Sequence, residues 1–147
     1  MKKIFNTLIT VVSAVLLISI TYGCKKDTSG NQGEIDRGLI EAYVLEHQLT
    51  GEFTASGLYY QINDPGFSVH PTLNSTITVT YKAYTISGTL KDKGEFTSFK
   101  LKNLILGWQE GLQLIGDGGK IKLIVPSALA YGDEVMLFDI TLHYFSK

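Results

Sequence analysis

A single cysteine, Cys24, stands in the whole sequence, so neither an intramolecular disulfide nor a cysteine-based metal site is open to this chain. Histidine is nearly as scarce: His47, His70 and His143 are far apart and have no metal-ligand spacing. Nucleophile motifs are missing too, because Ser127 lies outside any G-x-S-x-G context and no nucleophile is paired with a base. Gly116, Gly118 and Gly119 precede a strand-like alternation rather than a helix, which excludes a phosphate loop. Basic runs stop at Lys25-Lys26, and the charge is 13 − 14 = −1, a balance that excludes a nucleic-acid-binding surface. Hydrolytic, nucleotide-dependent and metal-dependent chemistry are thereby set aside, and no cofactor or metal is expected.

What is present begins with an apolar leader. Met1–Gly23 opens with Lys2 and Lys3 and runs almost without polar interruption from Ile4 to Ile20. A charged start, an apolar middle and a small residue before cysteine describe an export signal, with a permanent membrane anchor as the alternative. Gly23-Cys24 favours a bacterial lipoprotein signal cut before Cys24, the cysteine being lipidated, although Thr21 occupies a position where such signals usually carry an aliphatic residue. Without the leader lysines the charge becomes 11 − 14 = −3. The expected organisation is a signal over 1–23, a flexible polar tether over 24–33, a helical extension over 34–50 and one domain over 51–147. Ile35, Leu39 and Tyr43 recur at four-residue steps with Ile40 and Val44 beside them, an amphipathic helix that packs on the domain or on a second copy.

Further along, Leu58–Ile62 is rich in strand formers and Asp64-Pro65-Gly66 turns the chain. Thr76–Tyr84 alternates cleanly, Ile77, Val79, Tyr81 and Ala83 against Thr76, Thr78, Thr80 and Lys82. Ile86–Gly94 reads as turn or bulge, and Phe99–Leu101 as a short pairing segment. Val135–Phe145 predicts a long last strand with Met136, Phe138, Ile140, Leu142 and Tyr144 on one face.

The stretch Gly107–Gly132 organises the rest. Ile105, Trp108, Leu112 and Ile115 fall on one face of a helix, Gly116–Gly119 breaks it, Lys120–Val125 alternates as a half-buried strand, and Pro126 ends that strand. The ordered run GWQEGL, GGK and IVPSALAYG, with ITVTYKAY upstream and LFDITL downstream, resembles the FKBP family of peptidyl-prolyl cis-trans isomerases over roughly Ser56–Tyr144. The resemblance implies an α+β fold: an antiparallel β-sheet wrapped on one short central helix, here preceded by an N-terminal helix.

It also implies a pocket. Tyr81 matches the family's strand tyrosine, Trp108 the floor, Leu104 and Ile105 the aliphatic pair before it, Tyr131 the tyrosine whose hydroxyl meets substrate, and Phe138 the wall on the last strand. The Ile105 N–H would donate to a substrate carbonyl. For the family's Phe-Asp pair two registers stand open. One places Asp92 at the acid and Lys91 at the phenylalanine; the other places Phe96 at the phenylalanine and Thr97 at the acid. Phe96, Phe99 and Leu104 are the expected substrate contacts. Between Gly132 and Phe138 the chain has only Asp133–Leu137, where the family has a loop overhanging the pocket. The resemblance implies an isomerase acting on proline-containing polypeptides, and the leader with Gly23-Cys24 places it in the bacterial cell envelope, held to a membrane through Cys24. The alternative is a non-catalytic peptide-binding or chaperone module.

Overall fold

The computed structural model describes residues 28–146; the expected signal segment and Cys24 lie outside them. Helix α1 (Thr28–Glu46) leads into strands β1 (Glu52–Phe53), β2 (Tyr59–Asp64), β3 (Thr76–Thr85) and β4 (Leu90–Lys100), then helix α2 (Leu106–Gly111), β5 (Lys120–Val125) and β6 (Met136–Ser146). The strands form one six-stranded sheet in the order β1-β2-β5-β6-β3-β4, with every neighbouring pair antiparallel. This is an α+β architecture with α2 on one face of the sheet and α1 on the other.

The main core forms where the alternating apolar residues of β3, β5 and β6 converge under α2. Ile77, Val79, Ile121, Leu123, Val125, Phe138, Ile140 and Leu142 meet Trp108, Leu112 and Ile115 there, each essentially removed from water. The predicted four-contact helix face is shorter than its spacing implied. Only Leu106–Gly111 is α-helical, Leu112–Leu114 tightens to a 3-10 turn, and Ile115 is already extended. The close approach of α2 to β5 explains the two glycines of GWQEG. A Cβ on Gly107 would lie 2.4 Å from Val125 Cγ1, and one on Gly111 2.6 Å from Leu123 Cδ2.

The second face of the sheet carries a smaller cluster of Tyr59, Ile124, Val135 and Leu137, closed by Ile40 of α1 with Tyr43 and Val44. The buried stripe of α1 is therefore Asp36, Ile40, Tyr43 and Val44, whereas Ile35 and Leu39, expected to face the domain, are 46% and 45% exposed. The shift has a cause: Asp36 is drawn inward by hydrogen bonds to Ser127, and a helix turned to bury position 36 also buries position 40. Helix α1 begins at Thr28, so residues 28–33 of the expected tether are helical. Growth from an anchored turn adds one hydrogen bond per residue fixed, which outweighs the poor propensity of this polar run.

Strand β4 corrects the reading of its segment as turn and short pairing piece. It is a long edge strand interrupted by two register steps. Val79 pairs with Thr97 and Tyr81 with Gly94, so Glu95 and Phe96 together face Thr80. Ala83 pairs with Asp92 and Tyr84 with Leu90, leaving Lys91 extra. In β6 the step between Thr78 and Val79 leaves His143 unpaired on β3. Because side chains alternate faces, one extra residue reverses the parity beyond it. Tyr144, expected on the core face, is accordingly exposed, and Phe145 packs on the core instead.

Candidate functional site

The pocket is built outward from Trp108. Helix α2 lies flat on β5 and holds the indole almost fully buried. Three aromatic rings meet it edge-on: Tyr81 of β3 at 5.1 Å between centroids, Phe138 of β6 at 5.4 Å and Phe99 of β4 at 6.2 Å. Such edge-to-face contacts contribute about 0.5–1.5 kcal/mol each beyond area burial, and they fix the floor rigidly. Above it opens a cavity of about 220 Å³ bounded by Tyr81, Asp92, Phe99, Leu104, Ile105, Tyr131 and Phe138. The Trp108 Nε1–H is buried and has no acceptor among the described residues.

Polar groups stand at two sides of the cavity. Tyr81 donates its hydroxyl to Asp92 Oδ2 at 2.7 Å, and Asp92 Oδ1 accepts the Lys93 N–H at 2.8 Å. Burial of the Tyr81 ring, the bond to Asp92 and the Asp92 charge push the tyrosine pKa up to about 12, so the phenol keeps its proton throughout the neutral range. On the other side the chain enters α2 through Ile105 in extended geometry, φ −57° and ψ 150°. The Ile105 carbonyl accepts the Trp108 and Gln109 N–H groups, while its own N–H donates to no group among the described residues. The Gln109 side chain braces this entry by donating to the Leu104 carbonyl at 2.7 Å.

Of the residues singled out in the sequence, Tyr81, Asp92, Phe99, Leu104, Ile105, Trp108, Tyr131 and Phe138 border this one cavity. Phe96 does not. Its φ of +48° marks the bulge, and its ring stacks on His143 at 3.9 Å, 67% exposed and off the cavity. Asp92 pairs with Ala83, two residues beyond Tyr81, and borders the cavity, whereas Thr97 does not line it. Lys91 sits in its own bulge and reaches Glu134 at 3.0 Å, tying β4 to the short segment after Tyr131. That segment leaves Tyr131 65% exposed.

Two contributors escaped the sequence reading. Asn103 borders the cavity; a lone asparagine before the helix carries no motif that could have revealed it. Gly94 lies opposite Tyr81 in the ladder, and a Cβ there would meet Tyr81 Cε1 at 2.6 Å. Its signal was a glycine inside a strand, which often marks close approach of a neighbour. Among the described residues no group of three or more His, Cys, Asp or Glu could hold a metal ion, and no helix is long and apolar enough to cross a membrane.

Comparison with known proteins agrees with this geometry. The chain is 44% identical over 103 residues to the FKBP-type peptidyl-prolyl cis-trans isomerase FkpA of Buchnera aphidicola, covering 60% of this chain and 41% of that protein. It is 38% identical over 102 residues to FkpA of Escherichia coli, covering 60% and 38%. The chain thus matches about two fifths of the length of these curated relatives. The crystal structure of Escherichia coli FkpA superposes with a TM-score of 0.65 at 30% identity, over 99% of this chain and 72% of that one. The family model described as FKBP-type peptidyl-prolyl cis-trans isomerase matches residues 68–143, just over half of the sequence, and the chain belongs to that family.

Proposed function

We propose that this protein is a peptidyl-prolyl cis-trans isomerase that assists folding of proline-containing polypeptides in the bacterial cell envelope. The observation that carries the reading is the aromatic cavity floored by Trp108, with the free Ile105 N–H at its entrance. Rotation about an X-Pro bond is opposed by ~18–20 kcal/mol of amide resonance, and lowering it requires no nucleophile and no acid–base pair. An apolar cavity that strips water from the amide weakens the charge-separated planar form relative to the twisted one. Donors placed for the twisted geometry add differential stabilisation.

In this reading the proline ring sits over Trp108 between Tyr81, Phe99 and Phe138. The Ile105 N–H donates to a substrate carbonyl, Tyr131 donates its hydroxyl to the peptide, and Leu104 forms the apolar lip. The Tyr81–Asp92 pair keeps the far wall polar and fixed without exchanging a proton.

The test is a direct or protease-coupled assay of a Leu-Pro or Phe-Pro peptide. The expected rate is nearly flat between roughly pH 6 and 8, because no group that titrates there takes part. Tyr131→Phe lowers it modestly, since one hydrogen bond is lost while the apolar wall stays. A bell-shaped profile centred near neutrality would overturn the mechanism, and absence of turnover together with peptide binding would assign the pocket to a non-catalytic binding module. Envelope attachment through lipidated Cys24 belongs to the same proposal and is motivated by the leader and Gly23-Cys24. Labelled palmitate should enter the wild-type protein and not Cys24→Ser; equal labelling of both, or of neither, removes the anchor.

A further inference from the structure

Among the described residues, Asp36 is the one charged side chain buried with the core, and it is only 2% exposed. Its place is on the buried stripe of α1, far from the pocket in sequence. Oδ2 accepts both the Ser127 backbone N–H at 2.8 Å and the Ser127 hydroxyl at 2.6 Å. Oδ1 accepts the Gln32 side-chain N–H at 2.7 Å. A buried carboxylate left without such donors would be strongly disfavoured, so the bonds fix where α1 and Ser127 stand relative to each other.

Ser127 opens the 3-10 turn Ser127–Leu129 that follows β5. The residue before it, Pro126, has no side chain able to cap the turn, and the carboxylate of α1 supplies that cap from 91 residues away. The Ser127 carbonyl in turn accepts the Ala130 N–H at 3.1 Å and the Gly132 N–H at 2.9 Å. Tyr131 lies between those two amides, and its side chain borders the cavity. Leu129 and Ala130 pack on the main core, but on the side of α1 a second cavity of about 220 Å³ borders the turn, lined by Gln32, Asp36, Arg37, Ser56 and Ser127, so apolar packing alone does not tie the turn to the helix. The charged hydrogen bonds do.

We propose that Asp36 is a positioning residue for the pocket: from the N-terminal helix it fixes Ser127, and through Ser127 the turn that presents Tyr131. The helix thereby completes the substrate site rather than only covering the second face of the sheet. The kinetic consequence rests on the isomerase reading; the structural consequence does not.

The experiment compares Asp36→Ala, Asp36→Asn and Ile40→Ala in the full chain. Ile40 is buried in the same helix and packs with Tyr59, Ile124, Val135 and Leu137, none of which borders the pocket, so it reports general loosening of α1. Amide hydrogen exchange at Ala130 and Gly132 should quicken about tenfold in Asp36→Ala, the scale of one lost charge-assisted bond, less in Asp36→Asn, and not selectively in Ile40→Ala. For the Leu-Pro peptide, KM should rise by a similar factor in Asp36→Ala with kcat little changed, while Ile40→Ala lowers the melting temperature and leaves KM alone. Exchange at those two amides no faster in Asp36→Ala than in Ile40→Ala would overturn the proposal, as would an equal rise of KM in both. If Asp36→Ala does not fold, Asp36→Asn and Ser127→Ala carry the same comparison. Wild-type protein without isomerase activity would refute the proposed function, and the exchange measurement would still decide the role of Asp36.

Discussion

Gly107→Ala places one methyl group at the contact between α2 and β5, and the structure sets two opposing effects against each other. Alanine is favoured over glycine inside a helix by about 1 kcal/mol. The new Cβ, however, would lie 2.4 Å from Val125 Cγ1 and 3.0 Å from Cγ2, well inside the ~3.5–4.0 Å of a relaxed carbon contact. Val125 is β-branched and fully buried, so it has no free rotamer to yield with, and overpacking of this kind costs about 1–3 kcal/mol. The clash therefore wins, with a net loss of about 1 kcal/mol. Gly111→Ala is the internal comparison: its Cβ would meet the terminal methyls of Leu123 at 2.6 and 2.7 Å, atoms that a leucine can swing, so the loss is smaller. Urea unfolding at constant m-value measures both changes, and Trp108, the only tryptophan in the sequence, reports on the same helix through its fluorescence. Shifting α2 off β5 also moves Trp108 and Ile105, so isomerase activity should fall more in Gly107→Ala than in Gly111→Ala. Adding Val125→Ala should return part of the loss as a favourable coupling. A Gly107→Ala protein more stable than wild type would show that propensity dominates and that the helix does not press on the sheet as described.

Other outcomes follow from the pocket and its rim. The Tyr81 pKa is raised from 10.0 to about 12 in the folded protein, so the folded state holds the phenol proton more tightly than the unfolded chain. The stabilisation associated with Tyr81 is thus fully present below pH 10 and is lost as pH rises through about 12; Tyr81→Phe should flatten the alkaline limb of a urea-midpoint profile, and an unchanged limb would contradict a phenol whose proton is held by burial and by Asp92 together. Lys91 and Glu134 pair at 3.0 Å with both side chains well exposed, so Glu134→Gln should cost less than about 1 kcal/mol and that small cost should vanish in high salt. A larger, salt-independent loss would show that the short segment after Tyr131 is held by more than this pair.

The parts of the fold that were legible in the sequence are those in which one periodicity runs unbroken. Lys120–Val125 alternates without a bulge and forms β5 with those bounds. Ile77, Val79 and Ala83 of β3 are buried as the alternation requires. Trp108, Tyr131 and Phe138 border one cavity, because the motifs that carry them sit in such regular elements or directly at their ends. Helix α1 was legible as a helix but not in orientation. Its apolar residues nearly ring it, and the tie was broken by Asp36, a polar residue whose partner lies on a turn 91 positions later. Hydrophobic spacing assigns every charge to solvent and so cannot anticipate a carboxylate that is buried because a backbone N–H and a hydroxyl receive it.

Strand β4 shows why the remaining uncertainty was concentrated at the Phe-Asp pair. Its sequence, LKDKGEFTSFK, has little strand propensity and no sustained alternation, and two register steps lie within it. Asp92 and Gly94 face the pocket side opposite Ala83 and Tyr81; strict alternation from there would have sent Phe96 inward and Phe99 out. The extra residue at Glu95-Phe96 reverses the parity. Thr97 and Phe99 then pair with Val79 and Ile77, Phe99 reaches Trp108, and Phe96 is turned onto His143, itself the bulge residue of β6. Neither of the registers drawn from the sequence allowed for this, since each read the pair as two adjacent positions, Lys91-Asp92 or Phe96-Thr97, and so lost either the aromatic or the acid. The pocket instead keeps its acid from one side of the bulge and its aromatic wall from the other. A single inserted residue thus decides which phenylalanine borders the cavity, and it does so through backbone geometry that residue spacing alone does not encode.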